Sequence, residues 1–102
     1  MRKTHASVNV VGALMEDPLG RHWGYELGKR ARVRSGVLYP MLHRMLDEGL
    51  LEDGWEEPSE IGDQRPARRY YRLTGQGEVA FRQILRDARH DPRFVPLPGG
   101  AT

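Results

Sequence analysis

The side chains with most chemical capacity in this chain are arginines, and they are grouped. Lys29, Arg30, Arg32 and Arg34 fall within six residues, and Arg65, Arg68, Arg69 and Arg72 within eight. A guanidinium is a rigid fork of donors that fits a phosphate or the N7/O6 edge of guanine. Between the groups lies an acidic block: Asp47, Glu48, Glu52, Asp53, Glu56, Glu57, Glu60 and Asp63. Segregation of this kind gives a field with a preferred face although the formal net charge is only +2. A solvated charged surface is the plainer reading, and the two remain open on charge alone.

Catalytic chemistry has no comparable support. His5, His22, His43 and His90 are scattered, with no pair at metal-binding helical spacing, and there is no cysteine. The carboxylates sit in strand and loop positions without a nucleophile or base beside them, and no phosphate-cradling glycine loop is present. The expectation is a protein that is not an enzyme, with no catalytic residue, metal ligand or cofactor. A weak metal site shared by two copies stays open. No apolar run approaches a membrane span and no secretory signal is apparent, so a cytoplasmic, non-membrane protein is expected.

The elements that must position the arginines follow from periodicity. Thr4 to Met15 predicts a first helix, capped by Thr4 or Ser7, with Val8, Val11, Leu14 and Met15 near one face. Gly12 lowers helix propensity and suggests a close helix crossing. Asp17-Pro18-Leu19-Gly20 ends this helix. Trp23 to Val33 predicts a second, its cations also complementing the helix dipole. A tight turn at Val33-Arg34 leads to a third, capped by Ser35 and leaving through Gly49. Leu38, Met41, Leu42, Met45 and Leu46 face the core, whereas Val37, Tyr39, Pro40, His43, Arg44 and Asp47 face out. Two helices joined by a tight turn, the second with an exposed polar and aromatic face, make a helix-turn-helix. Pro40 forfeits a helical hydrogen bond and is a local exception.

Leu50 to Glu57 and Ala67 to Leu73 predict strands around a turn-rich Pro58 to Pro66, which is the layout of a wing. Thr74 caps a last helix running to about His90. Its apolar face (Val79, Ala80, Phe81, Ile84, Leu85, Ala88) has little left in the chain to pack against, so a second copy could cover it. The fold class is mainly α with a small β wing. Residues 1–74 form a winged helix-turn-helix, 75–91 a C-terminal dimerisation helix, and 92–102 an extended or disordered tail.

Several strings carry a family likeness: Trp23-Gly24-Tyr25-Glu26-Leu27; Ser35-Gly36-Val37-Leu38-Tyr39-Pro40 with Leu42 and Arg44; Gly49-Leu50-Leu51; Arg65-Pro66; and Arg69-Tyr70-Tyr71-Arg72-Leu73-Thr74. Together they make residues 6 to 90 resemble the PadR family of bacterial transcriptional regulators, in its short form with one helix after the wing. The resemblance implies a homodimer that binds double-stranded operator DNA, usually as a repressor. It also implies that the last helix packs on the partner's N-terminal region, which assigns dimer contact to Val8, Val11, Phe81, Ile84, Leu85 and Ala88. Some short-form members hold planar hydrophobic effectors between tryptophans of the dimerising helix; this helix has none, and Gly75 stands where a proline is common.

The expected DNA contacts are Arg34, Ser35, Val37, Tyr39, His43 and Arg44 from the third helix and its approach, and Arg65, Arg68 and Arg69 from the wing. Tyr39 is read as a phosphate contact or a buried anchor, His43 as a solvated helix residue, and Tyr70 and Tyr71 as one structural and one near the DNA. Partners would be an operator, a second copy and a small hydrophobic or aromatic effector. Two other classes stay open: a winged-helix protein–protein module using the acidic block and Trp55, and a ligand or metal sensor whose DNA binding is secondary.

Overall fold

The computed structural model describes residues 2–94; most of the expected tail lies outside the described residues. The elements are α1 (His5–Met15), β1 (His22–Trp23), α2 (Gly24–Ala31), α3 (Ser35–Asp47), β2 (Leu51–Trp55), α4 (Pro58–Ile61), β3 (Arg69–Leu73) and α5 (Gly75–Arg89). They form a helical domain with one antiparallel sheet in the order β1-β3-β2. β1 and the single turn α4 were not anticipated. Two residues are too short to show alternation, and β1 is recognisable only by pairing His22 with Tyr71 and Trp23 with Tyr70. Trp23 therefore precedes α2 as its N-cap instead of opening it.

Helix ends follow from local chemistry. Thr4 Oγ1 accepts from the Ser7 amide and Ser7 Oγ from the Thr4 amide, a reciprocal cap that starts α1. α2 ends two residues before Val33, because Arg32 turns left-handed (φ 57°) and closes a Schellman motif. Its amide donates to the Lys29 carbonyl and that of Val33 to Gly28. Gly49 (φ 75°) does the same for α3, with the Gly49 and Leu50 amides on the Leu46 and Met45 carbonyls. Only Gly49 is free of the steric cost of that conformation.

The core gathers Val10, Val11, Ala13 and Leu14 of α1, Leu27 and Ala31 of α2, Leu38, Met41, Leu42 and Met45 of α3, Leu51, Tyr71 and Leu73 of the sheet, and Phe81 of α5. α5 thus packs on α1 of its own chain. Val11, Phe81 and Ala88, expected at a dimer contact, are buried within the protomer, where they have α1 and α5 to close on; Val8, Ile84 and Leu85 stay partly accessible. Gly12 also departs from expectation: a Cβ there would meet nothing within 4 Å in the protomer, so no intramolecular crossing needs it.

Thr74 joins α5 to the end of α3. Its hydroxyl donates to the Gly49 carbonyl (2.6 Å) and accepts from the Gly77 amide (2.9 Å), while its own amide donates to the Leu50 carbonyl. Gly77 lies against the Leu50 backbone so closely that a Cβ would collide with that carbonyl oxygen. Gly77→Ala is expected to cost about 3 kcal/mol, because two backbones must separate. Arg32→Gly is expected to gain about 0.5–1 kcal/mol. Urea-denaturation midpoints check both signs.

Candidate nucleic-acid interface

Burial of Leu38, Met41, Leu42 and Met45 fixes which way α3 looks. At about 100° per residue, Pro40 and His43 come directly opposite that stripe. Tyr39 falls on the flank towards α2, where its ring lies over Gly24 so tightly that no side chain fits beneath it. Tyr39 is 45% exposed, so it anchors against α2 and still presents its outer edge. Val37 and Arg44 occupy the other flank and share a groove with Arg2 and Thr4.

The start of α3 differs from expectation. Arg34, not Ser35, is the N-cap, and no side chain caps the helix. Ser35 is the first helical residue, and its hydroxyl is left exposed. Among the described residues no acceptor meets the Ser35 or Gly36 amide, so this positive helix end points to solvent. A cleft of about 440 Å³ adjoins it, lined among others by Tyr25, Lys29, Arg32, Arg34, Ser35 and Tyr39. Pro40 is carried inside the helix; the acceptor it leaves, on exposed Gly36, is open to water.

Arg30 is not part of this cationic rim. Its Nη2 reaches back to the Ala13 carbonyl (3.2 Å) and the buried His22 Nδ1 (3.1 Å), while His22 Nε2 bonds the Asp17 carbonyl (2.9 Å). Since Arg30 has only hydrogens to give, Nδ1 accepts and Nε2 carries the proton. This network ties α2 to the end of α1.

The wing is held by a buried carboxylate. Glu56, following β2, accepts two parallel bonds from Arg65 (2.6 and 3.0 Å), one from the Arg68 amide (2.8 Å) and longer ones from the Arg68 guanidinium. The Arg65 hydrogen bonds, then those of Arg68, hold its carboxyl well below the usual glutamate range, against the opposing effect of burial. The other wing arginines are also paired: Arg69 with Asp53, Arg72 with Glu52. Arg21 bridges to Glu60 of α4 and stacks on the Tyr70 ring at 4.3 Å. Tyr71 is the buried member of the tyrosine pair and Tyr70 the half-exposed one.

Between α2, α3 and the wing lies a second cleft, about 350 Å³, with walls that include Trp23, Tyr25, Tyr39, Trp55 and Tyr71. Tyr25 carries no site assignment from sequence, and Trp55 only one to a protein–protein surface. The alternation of β2 puts Trp55 on the face of Leu51, but that it shares a cleft with Tyr39 depends on tertiary structure. The buried Trp23 Nε1 meets no acceptor among the described residues. Among those residues no trio of His, Cys, Asp or Glu could hold a metal ion, and no helix is long and apolar enough to cross a membrane.

The chain has known relatives. A family model described as the transcriptional regulator PadR-like family matches residues 17–83. The chain belongs to that family. Transcriptional regulator Rv3488 of Mycobacterium tuberculosis is 41% identical over 83 residues, covering 80% of this chain and 66% of that protein's length. A PadR family regulator from Clostridium difficile R20291 has the same fold: TM-score 0.69, 23% identity, 85% of this chain and 90% of that one. The PcaV transcriptional regulator from Streptomyces coelicolor, solved with its natural ligand, matches with TM-score 0.64 and 26% identity over 90% of this chain and 60% of that one. This PadR-like chain is thus a transcriptional regulator with a winged helix fold, not an enzyme.

Because the Glu56 pKa is depressed in the folded chain, its contribution to wing stability is complete above the unfolded value of about 4.3. It is lost as the pH falls from there towards the lower folded value. Amide exchange in β2 and β3 is expected to be unaffected by Glu56 titration between pH 7 and 5, after correction for intrinsic rates, and to accelerate below about pH 4. Glu56→Gln should show the faster exchange already at neutral pH; equal protection in the variant would contradict the clamp.

Proposed function

We propose that this regulator binds double-stranded DNA by laying the outward side of α3 in the major groove, as a homodimer and as a repressor. The uncapped amino end of α3, ringed by Lys29, Arg32, Arg34 and the Ser35 hydroxyl, carries the reading. Exposed amides at a positive helix end suit a phosphate, and a phosphate held there sets the register of the helix. Arg44, Val37 and His43 then stand where base edges pass, with Tyr39 at the α2 flank. Arg65, Arg68 and Arg69 would reach phosphates from the wing only by exchanging carboxylate partners.

In the proposed dimer, residues 1–74 form the DNA-binding unit and α5 the dimer element. The accessible apolar surface is the groove between α1 and α5, about 550 Å³, lined by Val8, Met15, Leu85 and Phe94 among others. Two copies about its two-fold axis would read half-sites about 34–36 Å apart in a pseudo-palindrome. The same groove is the proposed place for a small hydrophobic or aromatic effector, and the cytoplasm is the proposed compartment.

Fluorescence anisotropy with a duplex from the chain's own upstream region, beside a scrambled duplex, tests the reading. Preference for the first is expected, and Arg44→Ala should weaken it by about tenfold or more while leaving far-UV dichroism unchanged. Equal affinity of wild type and Arg44→Ala would remove Arg44 from the interface. Sedimentation should give twice the chain mass for wild type and the single mass for Leu85→Glu; a monomeric wild type at micromolar concentration would refute the dimer.

A further inference from the structure

We infer that the wing grips DNA through an aromatic floor instead of its arginines: Trp55, with Tyr25 and Tyr39, packs against the sugars of the strand that passes between α3 and the wing. This rests on the DNA-binding reading above and adds Trp55 and Tyr25 to the contacts that reading names. Among the described residues few large apolar side chains are strongly exposed, and three of them line one cleft: Tyr25 at 73%, Trp55 at 63% and Tyr39 at 45%. They belong to three different elements, and Trp23 and Tyr71 close the inner wall.

Two observations favour a nucleic-acid strand as the occupant. The aromatic cleft shares Gly24, Tyr25 and Tyr39 with the cation-lined cleft at the start of α3, so the two run on from each other. Cations suit the phosphates, and apolar ring faces suit the deoxyriboses, that alternate along a strand. Arg68 and Arg69 line the same cleft, with Glu26, but the wing arginines are already matched by carboxylates. From Leu51 to Leu73 six carboxylates face four arginines, and Arg65, Arg68, Arg69 and Arg72 each have one as partner. An arginine must leave its carboxylate to meet a phosphate; an exposed indole ring gives up only water.

The chain has two tryptophans, so Trp23→Phe leaves Trp55 as the single indole emitter. Titration of that variant with the upstream and scrambled duplexes should change Trp55 emission in step with the anisotropy of labelled DNA. Trp55→Ala should weaken both duplexes about tenfold through lost apolar burial and leave the salt dependence unaltered, since a ring releases no counterion. Lys29→Ala should reduce the salt slope by about one, and Arg69→Ala should cost less affinity than Trp55→Ala. Anisotropy that rises while Trp55 emission stays constant, or unchanged affinity in Trp55→Ala, overturns the inference and leaves the DNA reading standing. No rise on either duplex overturns that reading and the inference with it. Saturable quenching of Trp55 by 2-naphthol at micromolar concentration, without any by DNA, would make the cleft a small-ligand site and overturn the inference alone.

Discussion

Everything on the exposed side of this molecule depends on the burial of four side chains along one side of α3. Leu38, Met41, Leu42 and Met45 lie at the centre of the core, and a helix with one side committed has no freedom over the other. Rotation by a single residue would move the stripe by about 100° and expose apolar surface. The helix is fixed along its axis as well. Its carboxyl end is closed by the Gly49 turn and bonded through Thr74 to α5, and its amino end follows the left-handed turn at Arg32. The uncapped amides, the flank of Tyr39 on Gly24 and the outward positions of Pro40 and His43 are consequences of that packing.

Electrostatics divides the surface into two unlike halves. From Gly24 to Arg44 five cations face one acid; from Leu51 to Leu73 acids outnumber arginines. A polyanion is therefore drawn to the helix-turn-helix, and the wing's own charges add little to that attraction. Most of the wing pairs are exposed, where an ion pair is worth about 0–1 kcal/mol, so they contribute little to stability. The Glu56 cluster is different: its carboxylate is buried and fully bonded, which makes it a fastener of the hairpin.

Much of the architecture was legible in the sequence because it rests on local rules. The apolar spacing of α3, the glycine exit at Gly49, the Thr74 cap and the strand–loop–strand of the wing are settled within a few residues. What was not legible depended on distant partners. β1 exists only through β3. The arginines at residues 65 to 72 read as free donors because nothing local reveals that Glu56 and Asp53 lie opposite them. Phe81 read as spare apolar surface because its burial depends on α1 folding back over α5. Ser35 failed as a cap for a finer reason: the chain enters the helix one residue earlier, with Arg34 extended at φ −68° and ψ 152°. Trp55 was identifiable as an aromatic on a strand, but its place in one cleft with Tyr39 belongs to the tertiary structure.

The most direct test of the central claim is hydrogen–deuterium exchange of the full chain with and without saturating duplex from its own upstream region. Protection gained by the amides of Ser35 and Gly36 and along α3 to Arg44, with little change in the solvent-facing part of α5, is the result this account predicts. Protection confined to α5 or to the acidic strand β2, with the start of α3 exchanging at its free rate, would contradict it.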